Sequence, residues 1–314
     1  MTTVSTHLDV SRVALDHTYK FSEAAQDKAD EWAEPLWLFL VANLTFNLET
    51  TTLRNVSLKD VLHERYVNYV YSRLVIAGCH ELAKMPSTWS TEEQQDAEVE
   101  RVLRKAVESV FDPIDGVRDK IVYYLTRLCP RIRKKSADPT DIQKSVIRAT
   151  AKNEGHRCYL CGAILHYDGR PYGDDAEANI VEKRKVRTFT IEHLWSKARG
   201  GSRHRSNLGA CCQDCNNLKH HLLSFADFPL EQVMTHSVKH ESILTEVPKQ
   251  ARLALLWRQH GCCEMCGNRL FKIDPESLFL TRREPDEPYH FFNLMAVCGA
   301  CNCEHQLHGV QIRA

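Results

Sequence analysis

Apolar residues at three- and four-residue intervals mark the first half of the chain as helical. Leu58, Leu62, Tyr66, Tyr69, Val70 and Leu74 form one stripe behind a start at Ser57 with Asp60, and Val99, Leu103, Ala106 and Val110 form another behind Thr91 with Gln94. A third start, Thr140 with Gln143, opens a helix through Ile142, Val146 and Ala149 that runs out at Gly155. In each start, two side chains three residues apart can satisfy orphan N–H groups of the first turn. Prolines at Met85-Pro86-Ser87 and Asp112-Pro113 separate helices. The basic run Arg131-Ile132-Arg133-Lys134-Lys135, followed by Ser136-Ala137-Asp138-Pro139, reads as the main interdomain linker, with a phosphate-contacting strip as the alternative. Trp32, Trp37, Tyr66, Tyr69 and Tyr71 read as core aromatics, and this half is assigned to partners or architecture.

The period changes further along. Thr188-Phe189-Thr190-Ile191 alternates polar and apolar with strand-forming side chains and ends in Glu192-His193. Gly200-Gly201 predicts a turn, Asn207-Leu208 a return strand, and Cys215-Asn216-Asn217-Leu218-Lys219 the opening of a helix. A further helix is expected over Gln250–Trp257. The fold class is α+β, a helical first part followed by small strand-containing modules.

A chain of 314 residues has room for two domains of ordinary size. Its 43% hydrophobic and 26% charged residues fit a water-soluble protein, and the longest apolar stretch, Leu36 to Phe46, is too short for a bilayer, so no membrane partner is expected. The opening residues show no basic region leading into an apolar run, and a cytoplasmic location is expected. Lys+Arg and Asp+Glu both number 41, so any basic surface must be local.

Cysteine is the compositional exception. Of 13, only Cys79 and Cys129 precede residue 150, and the other eleven cluster in the second half around closely spaced pairs. Reduced cytosolic thiols make metal binding the better explanation than a disulfide framework. The pairs belong to an internal repeat. Cys158-Tyr159-Leu160-Cys161-Gly162 is followed by Asn207 and Cys212-Gln213-Asp214-Cys215-Asn216; Cys263-Glu264-Met265-Cys266-Gly267 is followed by Asn293 and Cys298-Gly299-Ala300-Cys301-Asn302. Two Cys-x-x-Cys knuckles supply the tetrahedral sulfur set zinc prefers. Two structural Zn²⁺ sites are therefore expected, Cys158/Cys161/Cys212/Cys215 and Cys263/Cys266/Cys298/Cys301, with Cys211, Cys262 and Cys303 leaving the register open.

Residues 145–222 resemble the HNH, or ββα-metal, endonucleases: an acid–histidine pair at Glu192-His193, a central Asn207 fourteen residues on and a terminal Asn216 nine further, with Gly200-Gly201 between and Lys219 at the end. Glu192 stands where that family more often has Asp, Ser196 where Pro is common, and 30 residues separate Cys161 from Glu192. The resemblance implies DNA phosphodiester hydrolysis to 5′-phosphate and 3′-hydroxyl ends. His193 would be the general base, Glu192 and Asn216 would hold one Mg²⁺ or Mn²⁺, Asn207 would tie the loop, and Lys219 would contact phosphate. His220 and His221 could assist as ligands. The Lys/Arg strip 183, 184, 185, 187, 197, 199, 203 and 205 (Lys183, Arg184, Lys185, Arg187, Lys197, Arg199, Arg203, Arg205) would lie along the backbone of duplex DNA.

In the second copy, counting fourteen back from Asn293 reaches Phe279, preceded by Leu278, so that copy should be inert. The expected domains are a helical partner domain at 1–135, the HNH module at 140–222, and a helical connector with a degenerate HNH-like zinc module at 223–314. HNH nucleases with an added helical region resemble effectors of bacterial anti-phage systems, which implies a protein partner such as an ATPase. A non-catalytic zinc-dependent nucleic-acid or protein-binding module and an RNA endonuclease using the same site are the alternatives.

Overall fold

The computed structural model describes residues 29–44, 56–85, 92–110, 115–134, 138–153, 155–167, 187–224, 227–228, 234–235, 247, 249–259, 261–270, 278–304, 307 and 309–311. Thr91, the 86–87 and 112–113 breaks, and Lys183, Arg184 and Lys185 lie outside them. The chain divides into two compact units. The first holds residues 24–138 together with His193–Asn207; the second holds 139–192 and 208–314.

The first unit is built from α1 (Ala33–Asn43), α2 (Val56–Ala83), α3 (Glu92–Glu108) and α4 (Asp115–Lys134). Leu36, Trp37 and Leu40 of α1, Val67, Tyr71, Leu74 and Val75 of α2, Leu103 and Val107 of α3, and Ile121, Leu125 and Leu128 of α4 are buried, one apolar stripe from each helix. The Trp37 indole donates to Asn68 Oδ1 at 2.7 Å, which pairs the polar atom that the core would otherwise strand. Two expectations change here. The expected linker at 131–139 is shorter than the basic run: Arg131–Lys134 form the last turn of α4, where Arg131 pairs with Asp30 and Glu31 and Arg133 donates to the Leu82 carbonyl, and the boundary between the two units falls at Asp138–Pro139. Tyr66 and Tyr69 are exposed at 39% and 62%, on the outer side of α2, whereas Tyr71 and Trp37 are core.

The second unit repeats one motif. In the first copy α5 (Asp141–Asn153) precedes the knuckle at Cys158, β1 (Phe189–His193) pairs with β2 (Leu208–Cys212), and α6 (Gln213–Lys219) follows. Thr140 and Gln143 cap α5 reciprocally, Gln143 N donating to Thr140 Oγ1 at 3.3 Å and Thr140 N to Gln143 Oε1 at 2.9 Å. The face of α5 that enters the core carries Ile147 and Ala151, while Ile142 stands 78% exposed.

The second copy has α7 (Lys249–Arg258) and a knuckle at Cys263. A short β3 (Met234–Thr235) pairs with β5 (Tyr289–His290). A sheet ordered β6-β4-β7 joins β4 (Leu278–Arg282), β6 (Leu294–Cys298) and β7 (Val310–Gln311), and α8 (Gly299–Glu304) follows β6. Backbone bonds recur in register. Cys158 N donates to Ala163 O and Cys263 N to Asn268 O, both at 2.8 Å, and Tyr159 N donates to Ala210 O as Glu264 N does to Ala296 O. Lys249 of α7 pairs with Asp214 of α6.

The recurrence also corrects an alignment. Leu194 N donates to Asn207 O and Arg283 N to Asn293 O, so Arg283 answers to Leu194. Thirteen positions separate the first pair and ten the second, because the loop of the second copy is three residues shorter. The counterparts of Glu192 and His193 are therefore Thr281 and Arg282, not Leu278 and Phe279. Neither offers a carboxylate or an imidazole.

Candidate active site

Both cysteine sets assemble as the spacing predicts. In Cys158/Cys161/Cys212/Cys215 and in Cys263/Cys266/Cys298/Cys301, the four sulfurs lie within 4.8 Å of one another. Zinc with Zn–S bonds of about 2.3 Å places tetrahedral sulfurs ~3.8 Å apart. The Cys161–Cys212 and Cys266–Cys298 separations are 3.8 and 3.9 Å, the spacing of a tetrahedral zinc thiolate edge. Cys212, not Cys211, is the ligand-register residue: it caps α6 through Cys215 N, while Cys211 lies outside the four, 3.8 Å from Cys158 Sγ. Burial pushes the Cys158 thiol up, but the neighbouring sulfurs of Cys161, Cys211, Cys212 and Cys215 draw it well below the ordinary thiol value. In the second set, hydrogen bonds against burial lower Cys263 to about 7. The protons these thiols give up are held by their neighbours, since Cys161 and Cys215 in the first set and Cys298 and Cys301 in the second are pushed up, and a bound cation would displace them.

Between the first copy's knuckles lies a buried charge cluster. Glu192, on β1, is 3% exposed; Lys219, at the end of α6, is 0% exposed and donates to Glu192 Oε1 at 2.6 Å. Tyr159, inside the first knuckle, donates to Glu192 Oε2. Burial drives the Glu192 carboxyl upward, and Lys219 and Tyr159 pull against it. Lys219, expected at a phosphate, is thus enclosed beside the acid. Two residues before Glu192 on the same face of β1, Thr190 Oγ1 donates to Cys211 O at 3.1 Å and accepts from Asn216 Nδ2 at 3.3 Å. That bond uses the amide nitrogen of Asn216 and turns its oxygen to other uses. Glu192 and Asn216 are consequently brought to the same β1–α6 face.

His193 ends β1 and is half-buried. The loop that follows it closes on Asn207, which is fully buried: Oδ1 accepts from Trp195 N at 2.6 Å, and Nδ2 donates to the Trp195 and Ser202 carbonyls at 3.1 and 2.7 Å. Ser196 holds φ −55°, the angle that proline would impose there, and its carbonyl accepts from Arg199 N and Gly201 N. Gly201 is required by contact, since a Cβ would stand 1.9 Å from the Trp195 carbonyl oxygen.

The basic strip disperses. Lys197 pairs with Asp138 at 2.8 Å and Arg199 donates to Ser72 Oγ at 3.0 Å. Arg187 is half-buried, whereas Arg203 and Arg205 are exposed on the loop. His220 and His221 are exposed with ring centroids 3.7 Å apart, just beyond α6. Tyr159, Thr190 and Tyr71 have roles the sequence did not single out; only the position of Tyr159 within a knuckle could have drawn attention to it.

Residues 182–226 match the family model of HNH endonucleases. The match spans β1, the loop, β2 and α6. No curated protein and no solved structure matches the chain. Over residues 182–226 the chain is thus similar to HNH endonucleases, and that segment is accompanied by a helical region and by two four-cysteine clusters suited to zinc.

Proposed function

We propose that the chain is a divalent-metal-dependent endonuclease that hydrolyses DNA phosphodiester bonds. The observation that carries this reading is the retention of Glu192, His193 and Asn216 in the copy matching the nuclease family, against Thr281 and Arg282 in the copy that does not. His193 takes a proton on an imidazole nitrogen as a water oxygen attacks phosphorus, the bond to the 3′ oxygen breaks, and that oxygen takes a proton from a second water, leaving 5′-phosphate and 3′-hydroxyl ends. Glu192 and Asn216 carry the hard oxygens that Mg²⁺ or Mn²⁺ takes and would hold one such ion, Glu192 by exchanging its bond to Lys219 or Tyr159 for the metal, since both of its carboxylate oxygens are engaged in the buried cluster. When bound, that ion supplies charge stabilisation to phosphate and leaving oxygen.

The other residues act on placement. Lys219 and Tyr159 orient the Glu192 carboxylate, and Asn207 fixes the loop leaving His193. Lys197, Arg203 and Arg205 are exposed on that loop; Lys197 is paired with Asp138, and Arg203 and Arg205 suit backbone contact without sequence readout. The biological setting this reading carries is an effector of bacterial defence against phage, acting beside a partner such as an ATPase in the cytoplasm; no described helix is long and apolar enough to cross a membrane.

Supercoiled plasmid with Mg²⁺ or Mn²⁺, protein with and without partner, tests the proposal. Nicked or linear product that disappears in His193→Ala is the expected result. An intact plasmid under every metal defeats it, as does equal cutting by the variant. Labelled RNA in competition with DNA identifies the preferred nucleic acid.

A further inference from the structure

The loop that leaves His193 is gripped by the helical unit. Tyr71 of α2, 0% exposed, donates from Oη to the Arg199 carbonyl at 2.6 Å, and the Trp195 indole donates to the same oxygen at 2.8 Å. Both lone pairs of that carbonyl are thereby engaged. The Arg199 side chain returns to α2, where its Nε donates to Ser72 Oγ at 3.0 Å. Beside this, Asp30 N donates to the Gly200 carbonyl at 2.7 Å and Ala29 bridges Gly201. Arg131 of α4 in turn holds the Asp30 carboxylate at 3.0 Å.

Gly200 has φ +87°, and a Cβ there would stand 2.8 Å from Ala33 Cβ on α1 and 3.0 Å from Leu128 Cδ1 on α4. The loop backbone lies directly against the helices, and only glycine meets both the angle and the approach.

None of this is needed merely to turn the chain. The second copy makes the same connection between Arg283 and Asn293 with three fewer residues, closed from within by its asparagine and by a turn bond from Glu287 N to the Glu284 carbonyl. The added length of the first copy lies in the segment that reaches the helices. We propose that α2 belongs to the catalytic apparatus: Tyr71 and Ser72 are positioning residues that hold Arg199 and so fix the loop running from His193 to Asn207. The inference rests on the reading of His193 as general base, whose efficiency falls steeply with misplacements of about 1 Å.

Tyr71→Phe removes one hydroxyl while keeping the ring and its edge contact with Trp195 at 6.0 Å. Ser72→Ala removes the acceptor for Arg199. Both are made in the full chain with zinc bound, and two quantities are measured: amide hydrogen exchange over 194–201 and steady-state plasmid cleavage with Mn²⁺. Exchange in the loop should rise roughly 5-fold, the equivalent of one net hydrogen bond, with the α1–α4 cores unchanged. The same variants should lose roughly 10-fold in kcat at constant KM for DNA.

Unchanged loop exchange overturns the proposal. Raised exchange with unaltered kcat, or a change confined to KM, overturns it too, since the grip would then serve folding or substrate binding. A wild-type protein that cuts nothing defeats the nuclease reading itself, an outcome distinct from a failed grip in an active enzyme.

Discussion

Lys219 donates to Glu192 across 2.6 Å with neither side chain reaching solvent, at 0% and 3% exposure. An ammonium and a carboxylate removed from water lose hydration worth several kcal/mol each, and recover it only by holding one another and their remaining partners. Tyr159 supplies such a partner on the second carboxylate oxygen. The acid of the candidate site therefore has one allowed position, set by the end of α6 and by the first zinc knuckle.

Removing one member of that pair should be worse than removing both. Lys219→Met leaves a buried unpaired carboxylate and should lower stability by about 3 to 5 kcal/mol. The double variant Lys219→Met/Glu192→Leu should recover most of that loss while abolishing cleavage. Guanidinium unfolding of both, zinc-loaded, checks it; a double variant as unstable as the single would show the pair is not the source.

Tyr159→Phe tests the link between knuckle and acid. Its ring lies 2.7 Å from where a Cβ on Gly209 would be, so phenylalanine keeps the packing and loses only the hydrogen bond to Glu192. The expected cost is about 1 to 3 kcal/mol for a buried acceptor left short of a donor. Mn²⁺ affinity measured by paramagnetic resonance should weaken while the zinc content holds at two per chain. An unchanged Mn²⁺ isotherm would separate Tyr159 from the site.

What the sequence conveyed well was local. The thiol spacing specified both clusters, Thr140 and Gln143 declared a cap, and the alternation at 188–191 declared β1. What it concealed depends on remote partners. Arg131 looks like linker composition until Asp30 and Glu31, a hundred residues away, neutralise it within α4. Lys219 looks like a surface cation until Glu192 encloses it. The count that reached Phe279 assumed equal loops, and only the hydrogen bond from Arg283 to Asn293 reveals a loop three residues shorter.

Zinc removal should separate the two modules. Cys161→Ser should lose one zinc, displace the knuckle that carries Tyr159 and eliminate cleavage; Cys266→Ser should lose the other zinc with Tyr159 and Glu192 still in place. Native mass spectrometry gives the stoichiometry, and Co²⁺ substitution gives the tetrahedral thiolate spectrum of each remaining site. A Cys161→Ser chain that keeps two metals would refute the ligand assignment.

Asn207 and Asn293 offer the sharpest separation of scaffold from chemistry. Asn207 satisfies Trp195 and Ser202, and Asn293 accepts from Glu284 N and donates to the Glu284, Glu287 and Pro288 carbonyls. Both close a strand-to-strand loop from within, and the second does so in a copy with Thr281 and Arg282 where the acid and base would stand. Each side chain makes at least three buried or half-buried bonds, so either asparagine changed to alanine should cost about 2 to 4 kcal/mol. Their effects on catalysis should diverge. Asn207→Ala releases the loop that begins at His193 and should depress kcat by roughly 100-fold, while Asn293→Ala should leave kcat within about 2-fold below its melting transition. Comparable losses of kcat from both variants would mean that the asparagine acts through global stability and that the second copy contributes to the reaction.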